Sequence, residues 1–115
     1  MKNNIYFNNL TKKRVKTEGF LRIYKKVLPN WELSVVLAGP ALMRSLNKKY
    51  RKKDKIANVL SFKLASKNGE IFLNANEKKL LYLFTHACLH LLGYDHKTNK
   101  EAVKMEEKEN KILLK

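Results

Sequence analysis

All the imidazoles of the 115-residue chain fall within "HACLHLLGYDH", where His86, His90 and His96 are spaced as HxxxHxxGxxH. At about 100° per residue, the first two lie roughly 40° apart on one face of a helix. Gly93 suits the left-handed turn that ends such a helix, after which Tyr94-Asp95 can swing His96 back toward the pair. Three imidazole nitrogens leave the fourth position of a tetrahedral zinc ion open to water, the pattern of a catalytic site and not of a closed structural one. Water bound there becomes a nucleophile near neutral pH. A single histidine on an apolar helix is usually a satisfied core residue, but here the third follows a well-placed glycine and none remain elsewhere. The expectation is one Zn2+ per chain, or another divalent metal, on His86, His90 and His96. Cys88 points roughly 160° away from the histidine stripe and reads as core packing.

The spacing overlaps that of metal peptidases with the pattern HExxHxxGxxH, whose glutamate after the first histidine acts as general base. Ala87 stands at that position and has no such group, which disfavours a peptidase. Asp95 is the nearby carboxylate: it can act as a catalytic base, orient a ligand, or simply hydrogen-bond within its own turn.

The elements that must position these side chains follow from periodicity. "NNIYFNN", residues 3 to 9, suits a short strand. Thr11 to Val27 suits a helix stopped by Pro29, with Gly19 as a weak point in its middle. "NWELSVVLAG" alternates Trp31, Leu33, Val35 and Leu37 with Glu32, Ser34 and Val36, as a half-buried strand does. Gly39-Pro40 closes it, and Pro40 can open a helix carrying Leu42, Met43, Leu46 and Tyr50. Asn68-Gly69 reads as the turn of a hairpin between residues 58 to 65 and 70 to 74. Asn74 with Glu77 resembles a capping box for the histidine helix, Asn76 to Leu92, which is otherwise apolar nearly all round and so belongs inside. "KTNKEAVKMEEKENKILLK" reads as a terminal amphipathic helix with Ala102, Met105, Glu109 and Ile112 at helical spacing and several glutamates facing water. The sum is a single α+β domain over residues 1–115, a mixed sheet of about four strands packed against about four helices, with a central buried helix carrying two of the histidines.

Composition narrows the partners. Lys and Arg number 25 against 10 Asp and Glu, a formal charge of +15 with a pI near 10.0, a field that attracts polyanions and nucleic acid first among them. "KKYRKKDK", residues 48 to 55, concentrates six of the bases against one acid. Lys48, Lys49, Arg51, Lys52, Lys53, Lys55 and the following Asn58 are the candidate nucleic-acid-binding residues. Arg51 is the preferred phosphate ligand, because its planar fork holds two oxygens at once; its bland alternative is a surface ion pair with Asp54. No apolar run long enough for a membrane span and no secretory leader pattern is read, so a cytoplasmic protein without a membrane partner is expected. The lone cysteine implies no disulfide partner.

"HACLHLLGYDH", "LNKKYRKKDKIANVLSF", "GEIFLN" and "MEEKENKIL" together resemble the YbeY-type endoribonucleases, over most of the chain from about residue 46. The resemblance implies a zinc-dependent, cytoplasmic hydrolase of single-stranded RNA in a mixed α/β fold. It further implies a role in ribosomal RNA maturation at the 16S 3′ end and in ribosome quality control, with ribosomal RNA and the small ribosomal subunit as partners. Its ligands would be His86, His90 and His96, and Arg51 would touch the scissile phosphate. The chain departs from the family pattern at Ala87, where glycine is usual, at Ile56-Ala57, where Pro-Thr is usual, and at Lys63, where proline is common. A zinc-stabilised RNA-binding ribosome-assembly factor without catalysis is the alternative reading.

Overall fold

In a computed structural model, which describes residues 4–94 and 98–113, four strands and four helices run in the order β1 (Ile5–Asn9), α1 (Glu18–Val27), β2 (Glu32–Ala38), α2 (Pro40–Arg51), β3 (Val59–Ala65), β4 (Asn68–Asn74), α3 (Leu80–Leu91) and α4 (Asn99–Leu113). The sheet order is β1-β2-β4-β3. β2 lies parallel to both β1 and β4, and β3 is antiparallel to β4, so the sheet is mixed and the domain is α+β.

Strand alternation sorts the two faces. Leu33, Val35 and Leu37 of β2 and Ile71 and Leu73 of β4 pack against Phe20, Ile23 and Tyr24 of α1 and Phe84, Ala87, Cys88 and Leu91 of α3 in the main core. On the other face Ala38 and Leu60 join Met43 of α2, flanked by Leu46, Phe62 and Phe72. Val36 and Ala38 are therefore also buried, so β2 is covered on both faces and not half-buried as its alternation suggests. α4 lies outermost, on α3 and α1. The tightest aromatic contact of the main core is edge-to-face, Phe20 to Phe84, with centroids 5.0 Å apart.

Three boundaries differ from expectation. α1 begins at Glu18 and not at Thr11, because Asn9 competes for the backbone there: its Oδ1 accepts from Thr11 N at 2.9 Å and its Nδ2 donates to Lys13 O at 2.7 Å. Such side-chain bonds favour a turn over a helix. Likewise α3 begins at Leu80; the expected capping box is an Asx turn, with Asn76 N donating to Asn74 Oδ1 at 3.1 Å, placed ahead of the helix. The hairpin turn falls on Ser66-Lys67, with Lys67 left-handed at φ 53, while Asn68-Gly69 continue β4 opposite Ala65 and Lys63. Gly69 serves a close approach instead: a Cβ there would lie 2.9 Å from Leu91 Cδ1, and this contact seats α3 against the sheet. Gly93, at φ 103, ends α3 in the left-handed region as its sequence context predicts.

Candidate functional site

α3 carries Tyr82, His86 and His90 at intervals of four, in one row on the side that looks away from its buried residues Phe84, Thr85, Cys88 and Leu91. Cys88 is fully buried, and that burial pushes its thiol pKa up. His86 is the pivot of the row. Its Nδ1 lies 2.7 Å from Glu109 Oε1 of α4, and since a carboxylate only accepts, Nδ1 carries the proton and donates. In the neutral ring this leaves the Nε2 lone pair pointing the other way, toward His90, whose own Nε2 is 3.0 Å off. The rings meet edge to face at 76°, with centroids 4.6 Å apart.

Two nitrogens about 2.0 Å from one tetrahedral ion would sit roughly 3.3 Å apart, so a small divalent cation fits this pair with little adjustment. The donor set fits as well: a carboxylate on the far nitrogen of a ligand imidazole is the usual means of fixing its tautomer. Glu109 is 2% exposed, and a carboxylate so deeply buried is an expensive placement that its contact with the imidazole, and a cation beyond the imidazole, would offset. Among the described residues, no group of three or more His, Cys, Asp and Glu side chains forms a metal-holding cluster. His96, the third expected ligand, and Asp95 lie outside the described residues.

The pair opens on a cleft of about 540 Å³ lined by Arg51, Val59, Leu60, Ser61, Phe62, His86, Ala87 and His90. Arg51, His86 and Val59 also line an adjoining hollow of about 400 Å³, together with Asn47, Lys53, Lys55, Ile56, Ala57, Asn58, Tyr82 and Leu83. The two form one groove. Arg51 reaches it because α2 ends there and Lys52 turns the chain in the left-handed conformation, φ 58. The alternative pairing of Arg51 with Asp54 is replaced by another: Asp54 Oδ1 accepts from Arg44 Nε at 2.8 Å, and the guanidinium holds the Asp54 carboxyl below its ordinary pKa.

The expected basic surface divides. Arg51, Lys53, Lys55 and Asn58 border the groove, whereas Lys48, Lys49 and Lys52 line neither hollow. Lys49 instead lies 5.2 Å over the Tyr50 ring. Sequence reasoning missed the group that shapes the basic loop: buried Asn47 donates from Nδ2 to Lys55 O at 2.9 Å, pinning residues 52 to 55 against the end of α2. Its signal was an amide one turn after Met43, on the buried stripe of α2. Glu109 falls on the predicted stripe of α4, which by itself assigns it no chemistry. Tyr82, 42% exposed, stands in sequence between leucines that hide it.

A model of the family described as Endoribonuclease YbeY matches residues 3–115 of the chain. Proteins named Endoribonuclease YbeY are similar to it: one from Neorickettsia sennetsu is 39% identical over 103 residues, covering 73% of this chain and 72% of that protein. One from Aquifex aeolicus is 36% identical over 108 residues, 76% and 72% of the respective lengths. One from Bartonella henselae is 36% identical over 129 residues, 93% and 80%.

Proposed function

The chain belongs to the YbeY family, and from that premise we propose that it is a metal-dependent endoribonuclease that cuts single-stranded RNA in the groove between α3 and the loop after α2. The observation that carries the reading is the His86–His90 pair, 3.0 Å apart at Nε2, open to a cleft whose rim holds Arg51. His86 and His90 would hold one zinc or similar divalent ion, with His96 proposed as the third ligand. Such an ion, when bound, supplies a water-derived nucleophile near neutral pH and polarises the phosphoryl group.

The protein's own groups do the rest. Glu109 holds the His86 proton on Nδ1 and so keeps Nε2 available. Arg51 stands where negative charge accumulates on the phosphate in the transition state, and its fork can grip two of the oxygens. Lys53 and Lys55 hold the flanking phosphates, and the remaining basic residues Lys48, Lys49 and Lys52 raise the local concentration of RNA through their field. Asp95 is the proposed base for the attacking water. Ribosomal RNA maturation at the 16S 3′ end, on or beside the small ribosomal subunit in the cytoplasm, is the setting that membership of the family supports. Among the described residues no helix is long and apolar enough to cross a membrane.

Ala87, 1% exposed, borders the cleft with a methyl group where a peptidase of this spacing needs its carboxylate, so peptide hydrolysis is disfavoured. A zinc-stabilised RNA-binding assembly factor is the remaining rival, and metal removal separates the two. Stripping the purified protein with a chelator should abolish cleavage of single-stranded RNA, and restoring one equivalent of Zn2+ should return it in proportion to the metal bound. Cleavage that is indifferent to metal content rejects the mechanism, and RNA binding without any cleavage in the zinc-loaded protein favours the rival.

A further inference from the structure

Tyr82 is an unexplained side chain of α3. It packs in neither hydrophobic cluster, although the helix around it is apolar, and it keeps 42% of its surface exposed. It stands one turn before His86, with the two rings 27° from parallel and their centroids 6.4 Å apart. Burial first, then the nearby Glu109 carboxylate of α4, raises the pKa of its phenol. The ring borders the basic half of the groove, together with Lys53, Lys55 and the exposed Ile56. Another exposed tyrosine, Tyr50, lines neither hollow and meets the Phe62 ring edge-on under Lys49.

An aromatic ring beside cations that track a phosphate backbone is how proteins hold single-stranded nucleic acid without reading its sequence, since every base has a face to stack. We propose that Tyr82 is a base-stacking platform: the base of the nucleotide next to the scissile phosphate lies on its ring, within a subsite closed by Ile56 and neutralised by Lys53 and Lys55. The inference rests on the RNA-cleaving reading and deepens it. The stacked base would fix where the backbone crosses the histidine pair, and it would disfavour duplex RNA, whose bases are already stacked on each other.

The test uses the full-length, zinc-loaded chain and short single-stranded oligoribonucleotides, intact or carrying an abasic residue at each position in turn. Tyr82→Ala should raise KM for the intact strand roughly ten-fold, within the range of about 5- to 150-fold that loss of one stacked base produces, with a smaller change in kcat. Tyr82→Phe, which keeps the ring, should rescue most of that loss. At one abasic position, next to the cut, the wild-type protein should fall to the level of Tyr82→Ala, and the variant should lose nothing more. A wild-type KM in Tyr82→Ala overturns the proposal, as does a Tyr82→Phe as weak as Tyr82→Ala, or a defect that persists undiminished at every abasic position. If the wild-type chain neither binds nor cuts RNA, the RNA reading itself fails and the subsite with it.

Discussion

α3 and α4 meet at the site, and each contributes a residue at odds with its own composition. α3 is apolar and mostly buried, yet it brings His86 to a cleft with a quarter of its side chain exposed. α4 is charged and mostly exposed, with Glu101, Glu106 and Glu107 facing solvent, yet it buries Met105 and Glu109 to within 2%. The imidazole and the carboxylate that cross these tendencies are the two that touch. Burying a carboxylate costs several kcal/mol unless a donor or a cation compensates, so Glu109 is placed there against the trend of its helix. Composition describes the average face of a helix; the exceptions to it mark where chemistry constrains the side chain.

The contrast breaks most sharply on α3. His90→Ala removes one of the two facing nitrogens, and we expect both metal uptake and RNA cleavage to be lost. Metal quantification on the purified variant, beside a cleavage assay and a circular dichroism melt, checks this. A folded variant that keeps a full equivalent of metal shows that His90 is not a ligand, and the pair then has only a structural meaning.

Glu109→Gln tests the α4 side and should act more weakly, because the amide oxygen still accepts from His86 Nδ1 while the negative charge is gone. Partners behind a metal-bound imidazole are typically worth about 10- to 100-fold in metal affinity, so a chelator competition titration should show a loss in that range with the stoichiometry unchanged. If Glu109→Gln binds zinc as tightly as the wild type, the carboxylate is a packing residue, and the likeness between the two helices' exceptions is accidental.

How much of this was legible beforehand follows from residue type. Three histidines at fixed spacing are rare enough to be seen in one sequence, and the strand alternation of β2 and the i, i+4 stripe of α4 located their faces; the stripe expected on α2 holds only for Met43 and Leu46, since Leu42 and Tyr50 are exposed. Glu109 is one of several glutamates in a segment where the default is solvent; its place on the stripe of Met105 and Ile112 separates it from Glu106 and Glu107, but only its distance to a side chain 23 positions earlier gives it a partner. Gly69 failed for a related reason. Asn-Gly is a strong turn signal in isolation, but the turn falls on Ser66-Lys67 and Gly69 lies within β4, where Leu91 presses closely on the strand. The start of α1 was obscured by Asn9, whose side-chain bonds override a helical pattern two residues on.

The smallest effect is expected on the far side of α3 from the histidines. The thiolate is the reactive form of cysteine, and burial raises the pKa of Cys88, so at neutral pH almost none of it is both ionised and reachable. Native protein should therefore resist a disulfide-exchange reagent such as DTNB, and full labelling of the single thiol should need denaturant. Labelling in native buffer then proceeds only when α3 opens. A ligand that binds the folded state alone stabilises it by mass action, so an ion held by His86 and His90 on the opposite face of this helix should slow the reaction of Cys88 without touching it. Fast labelling of the native protein would mean that the rear of α3 is not packed. A labelling rate indifferent to zinc would instead separate the metal from the helix that is proposed to carry it.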